Sequence, residues 1–457
     1  MTSISSGIFR AYDVRGLYGQ DINPEIFYRI GLAAGHYLQT VIKGRTITVG
    51  NDIRLSSPPL SYAFTSGLMS AGVNVYFTGT TAFGQTLFFG SQQHSDFIAF
   101  ITASHLPAEW NGVKFYYGDG VGLPETELIK IRDITLDGKE YAVDWRKVGC
   151  ITAVDATKPY AQFFASKVTF RQKHRIALDC GGGSMTLSAP SVFSSLGLDV
   201  VPVYCEPDPL FSQRPSDPKP KNLTTLVQKV KDTHCEFGVA FDGDGDRAVI
   251  VDDTGRILSA DETGIIIGKY GFGQKKGVVI VNVECSKAVP EQLHPLGFKV
   301  EKIQVGHTYL TLAAKQRKAL LGIESSGHLI LPEYFLFDDA IVVPLKIAQL
   351  LEQQKKPLSS LVNEIPMYPR RKEEIDCADD TKFLIIDDLK KKYGHEKDVD
   401  LLDGIRMNFP NGWVLIRASN TSPIIRLTVE ADTNEAVEEI TKRFTQEIDA
   451  VIHMRHK

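Results

Sequence analysis

Four short apolar runs in this chain each end in a loop rich in glycine, serine or aspartate, and that recurring pattern restricts the folds open to it. Asp96–Ile101 leads into Thr102-Ala-Ser104-His105, and Arg175–Leu178 into Asp179-Cys-Gly-Gly-Gly-Ser184. Phe237–Phe241 leads into Asp242-Gly-Asp244-Gly-Asp246-Arg247, and Val278–Val281 into Asn282-Val-Glu-Cys-Ser286. Helix-like stretches often follow. Short apolar runs alternating with helical segments predict α/β units around a mostly parallel sheet. Ligands collect beyond the strand carboxyl ends of such sheets, so the chemistry is expected in these loops.

The end of the chain reads differently. Gly412–Ile416 and Ile424–Val429 look like two strands joined by a polar turn. A helix is expected over Glu435–Ile452, with Val437, Ile440, Phe444, Ile448 and Val451 at three- and four-residue spacing. This is a separate α+β domain. Linkers are expected near Gly149, Asp252–Gly255 and Pro366–Pro369, and the proline-rich stretch from Glu206 to Pro220 as an ordered irregular loop.

Composition removes several function classes. Lys plus Arg is 51 against 55 Asp plus Glu, a net charge of −4, which gives no general attraction to nucleic acid or an anionic membrane. The six cysteines form no Cys-x-x-Cys pair, which argues against a zinc site of that kind and fits a reducing cytoplasm. The first residues lack a signal-peptide pattern, and no apolar run approaches the ~20 residues of a membrane-spanning helix.

The densest chemical signal is Asp242-Gly243-Asp244-Gly245-Asp246-Arg247. Three carboxylates at alternate positions face inward only where the chain bends, and the glycines permit the bend. Such a cluster repels itself unless a cation neutralises it, and hard oxygen ligands suit magnesium or calcium. A plain Asp/Gly surface turn is the alternative. An EF-hand fails, because Arg247 holds its sixth position and Asp253 its twelfth. Ser104 puts a hydroxyl at a strand end, suited to a nucleophile if activated or phosphorylated, although a cap or Ser/Thr turn is the commoner use of such a residue. A Ser-His-Asp hydrolase would need the Gly-x-Ser-x-Gly elbow, which is missing. Arg417-Ala-Ser419-Asn420-Thr421-Ser422 is a dense donor set for phosphate, or else a polar hairpin turn. Glu324, Ser326 and His328 in Gly322–His328 suit vicinal sugar hydroxyls, with a plain loop the default, and Gly306-His307-Thr308 adds another imidazole or else a structural histidine. Asp179–Ser184 matches neither Gly-x-Gly-x-x-Gly nor a P-loop and reads as a tight strand-to-helix turn.

Taken in order, the Ser104 loop, the triple aspartate, Glu-x-Ser-Gly-His and Arg-x-Ser-x-Thr resemble the α-D-phosphohexomutase superfamily, most closely its phosphomannomutase/phosphoglucomutase branch. The resemblance runs from Phe9–Gly16 to Arg426. It implies four domains around a central cleft: three similar α/β domains with mixed sheets, 1–149, 150–253 and 254–367, and a distinct C-terminal α+β domain, 368–457. It implies that Ser104 is a phosphoserine and that Asp242, Asp244 and Asp246 hold Mg2+, a phosphoserine oxygen completing the protein ligands. Lys114, Arg247 and His307 match positions in phosphoryl transfer. Glu324, Ser326 and His328 match the sugar loop, Arg417, Ser419, Asn420 and Thr421 the phosphate loop, and Tyr12 and Arg15 an N-terminal site motif. The implied activity interconverts hexose 1- and 6-phosphates, of mannose or glucose, through a hexose 1,6-bisphosphate. A phosphoglucosamine mutase is the alternative, and a non-catalytic sugar-phosphate sensor a third reading. The expected partners are small hexose phosphates, with no nucleic acid or membrane; monomer and dimer both fit. The chain departs from the family pattern at Leu106, Ile323 and Ser422, and at Glu284, where a lysine is common.

Overall fold

The computed structural model describes residues 4–419 and 423–455, whose strands form four sheets. The first contains β1 (Asp13–Leu17), β2 (Thr46–Asn51), β3 (Asn74–Thr80), β4 (Phe97–Ile101), β5 (Trp110–Tyr117) and β6 (Ile151–Ala153), in the order β1-β5-β4-β2-β3-β6. Only β5 runs against its neighbours. The second contains β7 (Arg175–Asp179), β8 (Asp199–Val203), β9 (Phe237–Phe241) and β10 (Ala248–Asp252), in the order β10-β9-β7-β8. The third contains β11 (Val278–Asn282), β12 (Lys299–Ile303), β13 (Leu321–Ile323) and β14 (Leu329–Ile330), in the order β12-β11-β13-β14. In each, one edge strand, β10 or β14, is antiparallel. The fourth is antiparallel throughout: β15 (Arg370–Asp376), β16 (Val399–Asp400), β17 (Ile405–Phe409), β18 (Gly412–Ala418) and β19 (Ile424–Ala431), in the order β15-β19-β18-β17-β16. The architecture is three α/β units with mixed sheets and a C-terminal α+β unit.

Every residue of β4 and β9 is buried, as expected of continuous apolar strands covered on both faces. The covering helices carry ordinary start signals. Asn23 caps Pro24–Tyr37, with proline in its first turn, and Ser259 and Glu262 form a capping box on Ala260–Tyr270. The expected helix over Glu435–Ile452 spans Asn434–Arg455.

One expectation is corrected. After the 102–105 and 242–247 loops the chain does not enter a helix; it returns as β5 and β10, antiparallel to the strand it has just left. The 324–328 loop is built in the same way between β13 and β14, and β18 and β19 flank 419–423. The Ser104, triple-aspartate and Glu324–His328 loops are therefore hairpin turns. β6, beyond the linker expected near Gly149, pairs with β3 in the first sheet.

One apolar core runs through the first three units, from Phe83 and Phe100 through Tyr160 and Phe241 to Ile323 and Phe337. The fourth unit has its own core and meets the third through a small cluster of Val283, Trp413 and Leu415. Among the described residues, no helix is long and apolar enough to cross a membrane.

Candidate active site

Ser104 adopts φ +54°, a left-handed backbone that residues other than glycine seldom hold. Its N–H donates to Thr102 Oγ1 (2.8 Å) and its carbonyl accepts from Arg54 Nη2 (2.8 Å). The bend aims Ser104 Oγ at the second unit, where it donates to Asp242 Oδ2 at 3.2 Å. Approach is close enough that a Cβ on Gly243 would lie 2.5 Å from the Ser104 carbonyl oxygen, and Gly245 turns the aspartate loop at φ +88°.

Arg54 anchors this turn. It is fully buried, pairs with buried Asp52 (2.9 Å) and also donates to the carbonyls of Leu106, Pro107 and Trp110. Arg54→Met should leave Asp52 as an uncompensated buried charge and destabilise the protein by about 3–5 kcal/mol. Denaturant unfolding measures this, and an unchanged midpoint would contradict the anchoring role.

Asp242, Asp244 and Asp246 are buried, with one oxygen of each within 4.8 Å of the others. Lys114 Nζ, reaching over from β5, donates to Oδ2 of Asp244 (2.9 Å) and of Asp246 (2.5 Å). Oδ1 of both aspartates is buried without a hydrogen-bond partner. Burial and the charges of its two neighbours push the Asp242 carboxyl well up. Burial also pushes Asp246 up, but Lys114, His328 and Arg247 outweigh it and hold that carboxyl well below the usual range. Three converging hard-oxygen ligands, two with unused oxygens, fit a divalent cation.

Behind the aspartates, Arg247, His307 and His328 gather beside Asp338, the one member that the sequence motifs did not reveal. Arg247 Nε donates to His328 Nε2 (2.9 Å), so the neutral ring carries its proton on Nδ1, which lies 2.5 Å from Asp338 Oδ2. His307 stacks on His328 with ring centroids 5.5 Å apart and places Nδ1 3.9 Å from the same carboxylate. Burial pulls His307 down to about 3 and His328 to about 4, and pushes Asp338 up to about 7. Nε2 of His328 is thus held by Arg247, whereas Nδ1 lies beside Asp338 without a hydrogen bond to it. Beside Ser104, the Arg247 charge and burial hold His105 well below its ordinary pKa, and its Nδ1 lies 3.3 Å from Ser104 Oγ.

The remaining predicted residues among those described line one cavity of about 300 Å³ to which all four units contribute. Tyr12 donates through its hydroxyl to the Val305 carbonyl (2.5 Å), and Arg15 Nε pairs with Asp13 (2.6 Å). Glu324 Oε2 accepts the Gly306 N–H (3.0 Å) and Oε1 accepts the Ser326 hydroxyl (2.7 Å). Arg417, His307, His328, Arg247 and Ser419 share the same walls. Asn420 and Thr421, expected in the phosphate loop, and Ser422 lie outside the described residues.

Glu284 is the departure with a visible consequence. Its carboxylate accepts from Arg417 Nε (2.7 Å), Ser325 Oγ (2.9 Å) and Lys372 Nζ (3.3 Å). Although burial opposes ionisation, Arg417 and Lys372 hold Glu284 far below the usual carboxylate range. Lys287 does not stand in for the missing lysine: its ammonium pairs with Asp432, away from the cleft.

Family models described as phosphoglucomutase/phosphomannomutase alpha/beta/alpha domains I, II and III match residues 6–142, 158–255 and 259–368, and the C-terminal domain model matches 374–447. The chain is 32% identical over 456 residues to a phosphomannomutase/phosphoglucomutase of Pseudomonas aeruginosa, covering 98% of this chain and 97% of that protein. It is also 32% identical over 443 residues to a probable phosphoglucosamine mutase of Methanopyrus kandleri, covering 95% and 96%. The crystal structure of a phosphoglucomutase/phosphomannomutase family protein from Burkholderia thailandensis superposes with a TM-score of 0.88 at 26% identity, covering 98% of each chain.

Proposed function

The chain belongs to the phosphoglucomutase/phosphomannomutase family, and from that premise we propose that it interconverts hexose 1- and 6-phosphates, of mannose or glucose, by passing a phosphoryl group through Ser104. The observation that carries this reading is the 3.2 Å approach of Ser104 Oγ to the aspartate turn, whose chain neighbours His105 and Arg247 line one cavity with Arg417. Each unit contributes one loop: Ser104 from 1–149, the aspartates from 150–253, Glu324 and Ser326 from 254–367, and Arg417 from 368–457.

The resting enzyme carries phosphate on Ser104. Phosphoserine brings close to −2 charge, which Lys114 and Arg247 offset. Asp242, Asp244 and Asp246 would hold Mg2+, which supplies further compensation of charge on the transferred group. The substrate's own phosphate rests against Arg417 and Ser419, while Glu324 and Ser326 accept and orient ring hydroxyls. The free sugar hydroxyl attacks the phosphoserine phosphorus; its proton leaves to a base in the cleft, the Ser104 Oγ–P bond breaks, and a hexose 1,6-bisphosphate forms. The bisphosphate turns end for end and returns its other phosphoryl to Ser104. His328, which accepts the Arg247 Nε–H, keeps that guanidinium over the aspartate turn. Glu284 holds Arg417 by Nε and leaves the outer edge of its guanidinium to grip phosphate in either substrate orientation.

A coupled assay with mannose, glucose and glucosamine 1-phosphates tests the reading. Turnover of the first two supports it. Turnover of glucosamine 1-phosphate alone supports the second reading, which the Methanopyrus relative favours. Binding without turnover would make the protein a sensor. Arg417→Ala should raise KM for the preferred sugar at least tenfold, because a charge-assisted grip on phosphate is lost. An unchanged KM removes Arg417 from the phosphate site.

A further inference from the structure

The Asp179–Ser184 turn takes no part in the catalytic reading, yet it brings two thiols together. Cys180 follows the last residue of β7, and Cys205 lies two residues beyond the neighbouring strand β8. The two strands are parallel, with Asp179 opposite Val203. The Cys180 N–H donates to the Val203 carbonyl (3.2 Å) and the Gly182 N–H to the Tyr204 carbonyl (2.8 Å), so the chains stay side by side past the sheet. Tyr204 holds φ +48°, a left-handed backbone that residues with a side chain seldom take. This bend brings Cys205 back to the end of β7. Its Sγ lies 3.3 Å from Cys180 Sγ and 3.2 Å from the Leu178 carbonyl oxygen.

The other four cysteines meet oxygen partners instead: Cys150 and Cys285 the side-chain oxygens of Asn74 and Asn282, and Cys235 and Cys377 the hydroxyls of Thr233 and Thr381. Within the pair the two thiols differ. Cys180 is fully buried, whereas Cys205 is half-buried. Contact with Cys180 pulls the Cys205 thiol down although burial opposes it, while burial pushes Cys180 well up. One sulfur is the more easily ionised and the more open, and the other is shielded and held against it. An attacking cysteine and its resolving partner have this arrangement.

We propose that Cys180 and Cys205 form a modification site, at which hydrogen peroxide converts the two thiols into a reversible disulfide. The Cys205 thiolate attacks one peroxide oxygen; the S–O bond forms as the O–O bond breaks, and the departing hydroxide takes up a proton to leave as water. The Cys180 sulfur gives up its proton and attacks the Cys205 sulfenic sulfur; the S–S bond forms, the S–O bond breaks and a second water leaves. Two thiols have then lost two electrons and one peroxide has gained them. The bond ties the ends of β7 and β8 behind the aspartate turn, where the Ser184 N–H donates to the Gly243 carbonyl (2.9 Å). The assignment does not depend on the catalytic reading.

Thiol mapping of the full wild-type chain tests it. The folded protein is exposed to hydrogen peroxide, quenched, denatured in excess maleimide and cut with trypsin. One tryptic peptide carries Cys180 and Cys205 and no other cysteine, because Arg214 and Lys219 each precede a proline. Before oxidation this peptide should carry two labels, and afterwards none; dithiothreitol should restore both. Linkage should form about tenfold or more faster in the folded protein than in urea, because the native contact holds the sulfurs together. Cys205→Ser should leave Cys180 labelled after the same treatment, and Cys180→Ser should stop at a Cys205 sulfenic acid that dimedone traps. Two labels retained by the oxidised wild type, labels that dithiothreitol does not restore, or linkage no faster in the folded protein than in urea would each overturn the proposal.

Discussion

Ser104→Ala is expected to abolish mutase turnover, lowering kcat on the order of 10⁴-fold or more, while the protein folds normally. The side chain is small, and its removal leaves no charge unpaired. The backbone bend rests on the Thr102 hydroxyl and on Arg54, neither of which the substitution touches. Only the oxygen aimed at Asp242 is lost. Intact mass should show one phosphoryl group on the wild-type protein and none on the variant. Turnover within tenfold of wild type would mean that another group carries the phosphoryl.

Asp244→Asn should be nearly as damaging, lowering kcat on the order of 10³-fold. The substitution keeps shape but removes a charge that faces both Lys114 and the proposed cation. Chelation should silence the wild-type enzyme to a similar degree, and added magnesium should restore the wild type but not the variant. Folding should survive, because the Asp244 backbone carbonyl that accepts the Phe83 N–H is unchanged. Full activity in metal-stripped buffer would refute the metal assignment.

The loops were legible in the sequence because each concentrates its chemistry within a few consecutive residues at the end of an apolar run. Asp242–Arg247 and Glu324–His328 are read at once, and so is the strand before the first, whereas the three-residue β13 before the second is too short to stand out. Direction after the loop was not legible: Trp110–Tyr117 and Ala248–Asp252 are apolar stretches whose antiparallel return is decided by pairing with β4 and β9. Partnerships between distant residues were also hidden. Asp338 meets His328 by folding back over the aspartate turn, although its flanking sequence, Leu336-Phe337-Asp338-Asp339, carries no recognisable motif. Arg54 lies 50 residues before Ser104 and holds its carbonyl. Glu284 stood out as a departure, yet its 2.7 Å contact with Arg417 became visible only once two units were placed together. That contact gives the substitution a physical sense: an anion steadies the guanidinium that the resemblance assigns to phosphate.

In the proposed reaction a phosphoryl group leaves Ser104 for one end of a sugar, and another returns from the other end. The direct test loads Ser104 with labelled phosphate and mixes the enzyme with one equivalent of unlabelled hexose 1-phosphate in a single turnover. The label is predicted to appear first in a hexose bisphosphate and then at C6 of the hexose 6-phosphate. Label that stays on the protein while product forms, or that leaves only as inorganic phosphate, would contradict it.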